Sequence, residues 1–316
     1  MRPLVTTSLV LYLMSASPCE AYETDQFSNR LEPISDSTQV LDEKVNETIA
    51  DVAAKWRGPR NNWEFVDQVF FRIGGYSWVD KIEKWAMKSP EIERLPTPRR
   101  DSIYEGHPFW ATRVVSLFGV GPTIKLNQQL IGSDKLGHFL SQGRKFYRRY
   151  LVSRDEAQAA KQSAFTERAI FGKPFTGVYS NADLVANYEG YRFYRSLFDD
   201  NIIPGKPAIL AWNEDHWVIQ RKFTWADHVN AYWDEALNIN YYDRLLYPYM
   251  KVRLQTFCPD YAAAPDAFSI ENEDILQQRY AHLQMRDTTD LRLENLCVET
   301  FEDTGDRVTE VAGPRN

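Results

Sequence analysis

The sequence predicts a mostly α-helical protein, an irregular helical bundle with a short strand pair near residues 208–223. Three observations predict it. Apolar residues recur at three- and four-residue spacing along much of the chain, beginning with Leu41, Val45, Ile49, Val52 and Trp56. Gly and Pro separate these runs, as at Arg57-Gly58-Pro59, Gly74-Gly75 and Gly172-Lys173-Pro174. Alternation of period two is found, weakly, over Ala208 to Phe223.

The elements follow in order. Residues 22–38 are polar and turn-rich and read as an extended lead-in. Helices are expected from Val40 to Trp56, from Trp63 to Phe70, and as a short amphipathic piece over 78–88. Four Pro and Gly residues make 89–107 a loop. Phe109–Phe118 and Thr123–Ile131 read as two helices split at Gly119-Val120-Gly121-Pro122. Ser133 is placed to cap a long helix through Tyr150, and Ser180 another through about Phe198. Residues 155–171 form a helix between them. Thr224 is placed to cap a helix through Asn238, residues 239–257 are aromatic and mixed, and 272–287 form the last helix. The tail from Thr300 to Asn316 is polar and acidic, a composition that frays.

Composition bounds the function. The chain has 316 residues, enough to bury a core without staples. A mean hydropathy of -0.49 excludes a polytopic membrane protein. A net charge of -7 disfavours general nucleic-acid binding, which needs a basic face. Aromatic residues at 14% imply either a heavy core or aromatic binding surfaces.

Residues 1–21 read as a cleaved secretory signal peptide: a basic start at Arg2, an apolar stretch from Leu4 to Met14, and small residues Cys19 and Ala21 before the cut. A buried N-terminal helix and lipid anchoring at Cys19 are the competing readings; Pro18 stands where a lipidation site usually carries Gly or Ala. The expected location is periplasmic or secreted, with no integral span after cleavage. Cleavage leaves Cys258 and Cys297, which an oxidising compartment would pair, against the alternative of two buried thiols. Residues 22–257 then form the principal helical domain and 258–316 a C-terminal appendage, with Ala262-Ala263-Ala264-Pro265 as a connector.

One constellation carries chemical information. Asp134 and His138 stand at i and i+4 on one helix, and Asp183 and Asn187 at i and i+4 on another. Glu167 lies near the end of the helix between. Two readings stay open. In one, Asp134 serves the helix dipole and Ser180 with Asp183 forms a capping box. In the other, the groups converge on one polar site. Gly137 and Gly190 inside helices cost up to about 1 kcal/mol each relative to Ala, and close helix approach is the plainest reason for them.

Asp134-Lys135-x-x-His138-Phe139, the acid Glu167 and Ser180-x-x-Asp183-Leu184-x-x-Asn187-x-x-Gly190 resemble the VanZ-like and YfiM-like envelope proteins over about residues 131–198. VanZ-like proteins are small helical membrane proteins linked to glycopeptide tolerance, and YfiM-like ones are envelope lipoproteins. The resemblance brings no agreed reaction. This chain departs from both in lacking transmembrane helices and in its long N- and C-terminal regions. What the resemblance implies is that Asp134, Lys135, His138, Glu167, Asp183 and Asn187 surround one interhelical site.

Two chemistries suit such a site. Asp134, His138, Glu167 and Asp183 are four potential ligands for one divalent metal, with Lys135 opposing a cation unless it points elsewhere. Without metal, His138 beside Asp134 is a general base, Asp183 or Glu167 the acid, Asn187 a substrate-orienting group and Lys135 a partner for a substrate phosphate or carboxylate. The expected substrate is an envelope lipid or glycan, cleaved by a hydrolase-type reaction.

A second cluster surrounds Trp212, His216, Trp217 and Trp233, with His228, Asp234 and Glu235 nearby. It reads either as a sugar platform of stacked rings or as an aromatic core. Adjacent Asp234 and Glu235 face different ways and cannot flank one glycosidic bond. His107 reads as a solvated loop histidine. Phosphate-cradling loops, Gly-x-Ser-x-Gly and Cys-x-x-Cys are absent. The alternative to an enzyme is an envelope binding or scaffold protein that works through the Trp-rich stretch 212–233.

Overall fold

A computed structural model describes residues 23–75, 79–108, 119–166 and 177–298. The expected signal peptide, the helix expected over 109–118, Glu167 and the tail from Thr300 lie outside the described residues. The fold is mostly α, with small two-stranded pairs. Strand β1 (Glu23–Thr24) leads to α1 (Thr38–Lys55), α2 (Asn62–Ile73) and the short α3 (Lys81–Ala86). The second half of the core is set by α4 (Asp134–Gly137), a π-helical turn (His138–Gln142) and α5 (Gly143–Ser153) in unbroken succession. After α6 (Glu156–Thr166) comes α7 (Asn181–Ser196), which is buried along nearly its whole length.

Three expectations are corrected. Thr123–Ile131 is not a helix but a hairpin of β2 (Thr123–Leu126) and β3 (Gln129–Gly132). Its turn residues Asn127 and Gln128 both take positive φ, 49° and 63°, the conformation that matches strand twist. The Thr38 hydroxyl accepts from the Asn127 amide (2.7 Å) and the Asp36 carboxylate from the Gln128 amide (2.6 Å), so side chains from α1 and its lead-in set the turn. Ser133 does not cap: it is already helical, and its side chain accepts no capping bond. Thr224 caps only one 3-10 turn, Trp225–Asp227. Asn230 then goes extended and caps a second, Ala231–Trp233, so the helix expected through Asn238 is broken into turns.

Other elements form where expected. Ser180 accepts from the Asp183 amide (3.1 Å) as N-cap of α7. The strand pair lies within 208–223 as Leu210–Asn213 and His216–Ile219. Of the helix expected over 272–287, Glu273–Tyr280 forms; helices Tyr247–Gln255 and Cys258–Ala263 were not expected, and the second runs into the residues read as a connector.

The core has two clusters. The larger packs α1, α2, α5 and α7 around Phe65, Phe139, Phe193, Trp225 and Trp233. The second gathers Phe27, Tyr104, Tyr242, Met250, Leu254, Leu291 and the cystine Cys258–Cys297, whose Cα atoms are 5.4 Å apart. Closing 39 residues of sequence separation contributes roughly 4 kcal/mol in the chain-entropy account.

The helix pair at the centre touches backbone to backbone. A Cβ on Gly190 would collide with the Phe139 carbonyl, and one on Gly143 would lie 2.6 Å from Gly190 backbone atoms. This contact falls on the π turn, and the Tyr194 hydroxyl donates to the Leu140 carbonyl there (3.0 Å). A widened turn of this kind is frequent at functional sites. Here it lies directly beneath His138.

Candidate functional site

Asp134, Lys135 and His138 come from one side of the α4–α7 contact, Asp183 and Asn187 from the other. The structure brings all five together. Lys135 is 1% exposed, and its ammonium lies 2.7 Å from Asp134 Oδ2, 2.7 Å from Asp183 Oδ1 and 2.7 Å from Glu235 Oε1. It therefore points into the network. Its place as a buried counter-ion leaves it no substrate phosphate to meet, because three carboxylates already surround it.

His138 stands at the open side. Its side chain is 21% exposed, Nε2 lies 3.3 Å from Asp183 Oδ2, and Nδ1 lies 3.1 Å from Asn187 Oδ1. An amide oxygen only accepts, so Nδ1 carries the hydrogen and Nε2 is turned to the carboxylate. A bare nitrogen lone pair facing a carboxylate oxygen is repulsive. Either a proton or a cation between them makes that geometry favourable.

Four carboxylates that sequence reasoning did not place at the site complete its surroundings. Glu235 accepts from Thr24 (3.1 Å) and Ser180 (3.0 Å) besides Lys135. Asp80, at the start of α3, receives the Ser141 hydroxyl at both oxygens (2.7 and 2.8 Å). Glu83 lies against Gly137, where a Cβ would stand 2.8 Å from Oε2, so this glycine makes room for a carboxylate rather than for a helix. Glu23 completes the set from β1. No local pattern joins residues 23, 80, 83 and 235 to residue 134. The one available signal was Glu235 beside Asp234: the pair does face apart, Asp234 binding Arg30 at 2.8 Å while Glu235 binds Lys135.

So many carboxylates in one buried place titrate abnormally. Burial pushes Asp80 up to about 7, against the Ser141 hydroxyl and His138. Burial, reinforced by Asp134 and Asp80, holds Glu83 well above the carboxylate range. Burial, then Glu235 and Asp183, does the same to Glu23. Asp134 rises to about 6 because burial outweighs Lys135. Burial would raise Asp183 too, but His138 and Lys135 overcome it and hold that carboxyl low. Burial would lower Lys135, and its three carboxylates more than reverse this.

The raised carboxylates keep protons in the folded state that the unfolded chain has released. Stability therefore falls as pH rises from about 4 through 6 to 7. Asp183 has the opposite sign and contributes above the ordinary Asp range. The melting temperature is accordingly expected to be higher near pH 5 than near pH 8. Asp80→Asn should narrow that gap, as thermal denaturation at the two pH values would show; an unchanged gap would remove Asp80 from the account.

The expected aromatic surface is divided by the fold. Trp233 is 0% and Trp217 5% exposed. Trp217 packs edge-on to Trp56, Phe65 and Trp212 and against Phe198, while Trp233 packs on Phe139. These rings are core, and no platform of stacked rings faces solvent there. Trp212 is half-buried, and His216 is exposed at the hairpin turn beside Asp215. His107 is buried rather than solvated: Tyr104 and Tyr249 enclose it, its Nδ1 meets the Glu105 carbonyl, and burial lowers its pKa.

Glu189 is a second buried acid, 0% exposed, bound by His228 (3.1 Å), Arg192 (3.0 Å), Arg279 (2.7 Å) and the Tyr280 hydroxyl (2.8 Å). Two guanidinium groups, a phenol and an imidazole occupy its lone pairs, which makes it a structural tie between α7 and the helix Glu273–Tyr280.

Fold and site together define a mostly helical protein with a buried ionic network that opens at one histidine. In comparison with known proteins, the chain matches no family model, no curated protein and no solved structure.

Proposed function

We propose that this chain is an exported cell-envelope protein whose Asp134–His138–Asp183 centre performs hydrolase-type acid/base chemistry on an envelope lipid or glycan. The observation that carries the reading is the partly open His138 ring between Asp183 and Asn187, at the rim of an otherwise buried network. Asn187 fixes the ring, Asp183 faces Nε2, and Asp134, titrating near 6, is matched to exchange a proton near neutrality. Lys135, itself held by Glu235, keeps the two aspartates in place.

Export is supported by the Cys258–Cys297 pair, which suits an oxidising compartment. Among the described residues no helix is long and apolar enough to cross a membrane. The sequence resemblance over residues 131–198 supports the envelope as the place of action.

The test is turnover by the exported chain against chromogenic esters, phosphoesters and glycosides, alongside His138→Ala. The reading expects hydrolysis in one of these classes, lowered about 10²–10⁴-fold in the variant, with an acid limb near pH 6 in the wild-type profile. Turnover that the variant retains would overturn it.

A further inference from the structure

Resting on the reading of His138 and Asp183 as a working centre, we infer that Asp134, His138 and Asp183 form the site of one divalent transition-metal ion. Each residue presents one donor atom, and the three donors lie within 4.8 Å of one another. Lys135 pairs with Asp134 Oδ2 and Asp183 Oδ1 and its charge opposes a second cation, but the second oxygen of each aspartate stands outside these ion pairs. Asp134 Oδ1 is sealed from solvent and accepts no hydrogen bond, a costly state for a carboxylate oxygen. Asp183 Oδ2 faces His138 Nε2, and the ring hydrogen sits on Nδ1, donated to Asn187 Oδ1.

The charge balance agrees. Three carboxylates, Asp134, Asp183 and Glu235, surround a single ammonium, so the immediate group carries two formal negative charges in excess. One divalent ion neutralises it. Buried carboxylates without a counter-charge are expensive, so a cation here is stabilised by more than its direct bonds.

The donor chemistry narrows the ion. One imidazole and two carboxylates suit zinc and its neighbours rather than calcium or magnesium, which favour all-oxygen shells. Tetrahedral bonds of about 2.1 Å place donors about 3.4 Å apart, so closure of at most about 1.4 Å assembles the site. Three protein donors leave a fourth position at the His138 rim for water or substrate, the arrangement of a catalytic rather than a structural site. The hydrogen bond from Nδ1 to Asn187 is the outer contact that orients a ligating histidine, and Lys135 does the same for both aspartates.

The experiment is calorimetric titration of the chelator-treated protein with zinc chloride, repeated with cobalt chloride and read by visible absorption. The proposal expects one equivalent bound, with cobalt bands of a four- or five-coordinate site. Asn187→Ala should weaken binding roughly 10–100-fold and His138→Ala by more. His216→Ala, at an exposed histidine, should leave binding unchanged. No binding to the folded wild type, or binding that His138→Ala leaves intact, overturns the proposal. Turnover that persists in chelator and is lost in His138→Ala would sink the metal site alone and leave the acid/base reading standing.

Discussion

Lys135→Met is expected to destabilise the protein by about 3–5 kcal/mol near pH 8 and by much less near pH 5. Methionine keeps the apolar stem and removes only the charge. Asp134, Asp183 and Glu235 would then face one another at the place where each now reaches an ammonium at 2.7 Å. At pH 8 the three carboxyls must give up their protons against one another with no counter-charge between them. Lower pH protonates them and removes most of the penalty, so the loss must shrink on acidification. In the wild type the contribution of Lys135, whose folded pKa is raised, persists through neutrality and fades only as pH rises through that value. Urea unfolding at the two pH values gives the comparison. An equal loss at both would mean that the ammonium acts through packing, not charge.

Gly190→Ala is expected to cost about 3 kcal/mol or more, although alanine is the better helix former by up to about 1 kcal/mol. The added methyl group would meet the Phe139 carbonyl in the π turn and the Gly143 Cα at the start of α5, main-chain atoms that cannot rotate away. Relief requires separating α7 from the α4–α5 segment, and that opens the core cluster around Phe139 and Phe193. Gly137→Ala provides the contrast. Its Cβ would meet the far end of Glu83 at 2.8 Å, a group that can shift, so the loss should be much smaller. Chemical denaturation of both variants tests the pair; equal losses would show that the helix contact is looser than drawn.

The parts of the site that could be read from sequence are those governed by helical spacing. Asp134 with His138, and Asp183 with Asn187, share faces because i and i+4 must, and Ser180 caps because a hydroxyl before a helix meets free amides. Gly190 was readable as a close approach for the same reason. Lys135 was placed at the site only through the motif, and its role as a buried counter-ion was not legible, since its neighbour's face says nothing of a long side chain's reach. Glu23, Asp80, Glu83 and Glu235 were hidden by distance along the chain: tertiary packing alone carries them to Asp134. The hairpin Thr123–Gly132 was misread because Ile124 and Ile131, seven apart, fit a helical stripe as well as two strands. The turn residues that decide it, Asn127 and Gln128, rely on Thr38 and Asp36, which are remote in sequence. The Trp-rich stretch divided for a related reason: ring content does not reveal which face of a two-stranded pair is covered.

The central claim is that His138 works rather than locks the helices together. The most direct measurement is the melting temperature of His138→Ala against wild type, both treated with chelator near pH 7. The account predicts values within about 2 °C of each other or a more stable variant, because the ring is partly open, water can hydrate Asp183 in its place, and functional groups are commonly held at some expense of stability. A fall of more than about 6 °C, equivalent to roughly 2 kcal/mol, would make His138 a structural member of the network and contradict the account.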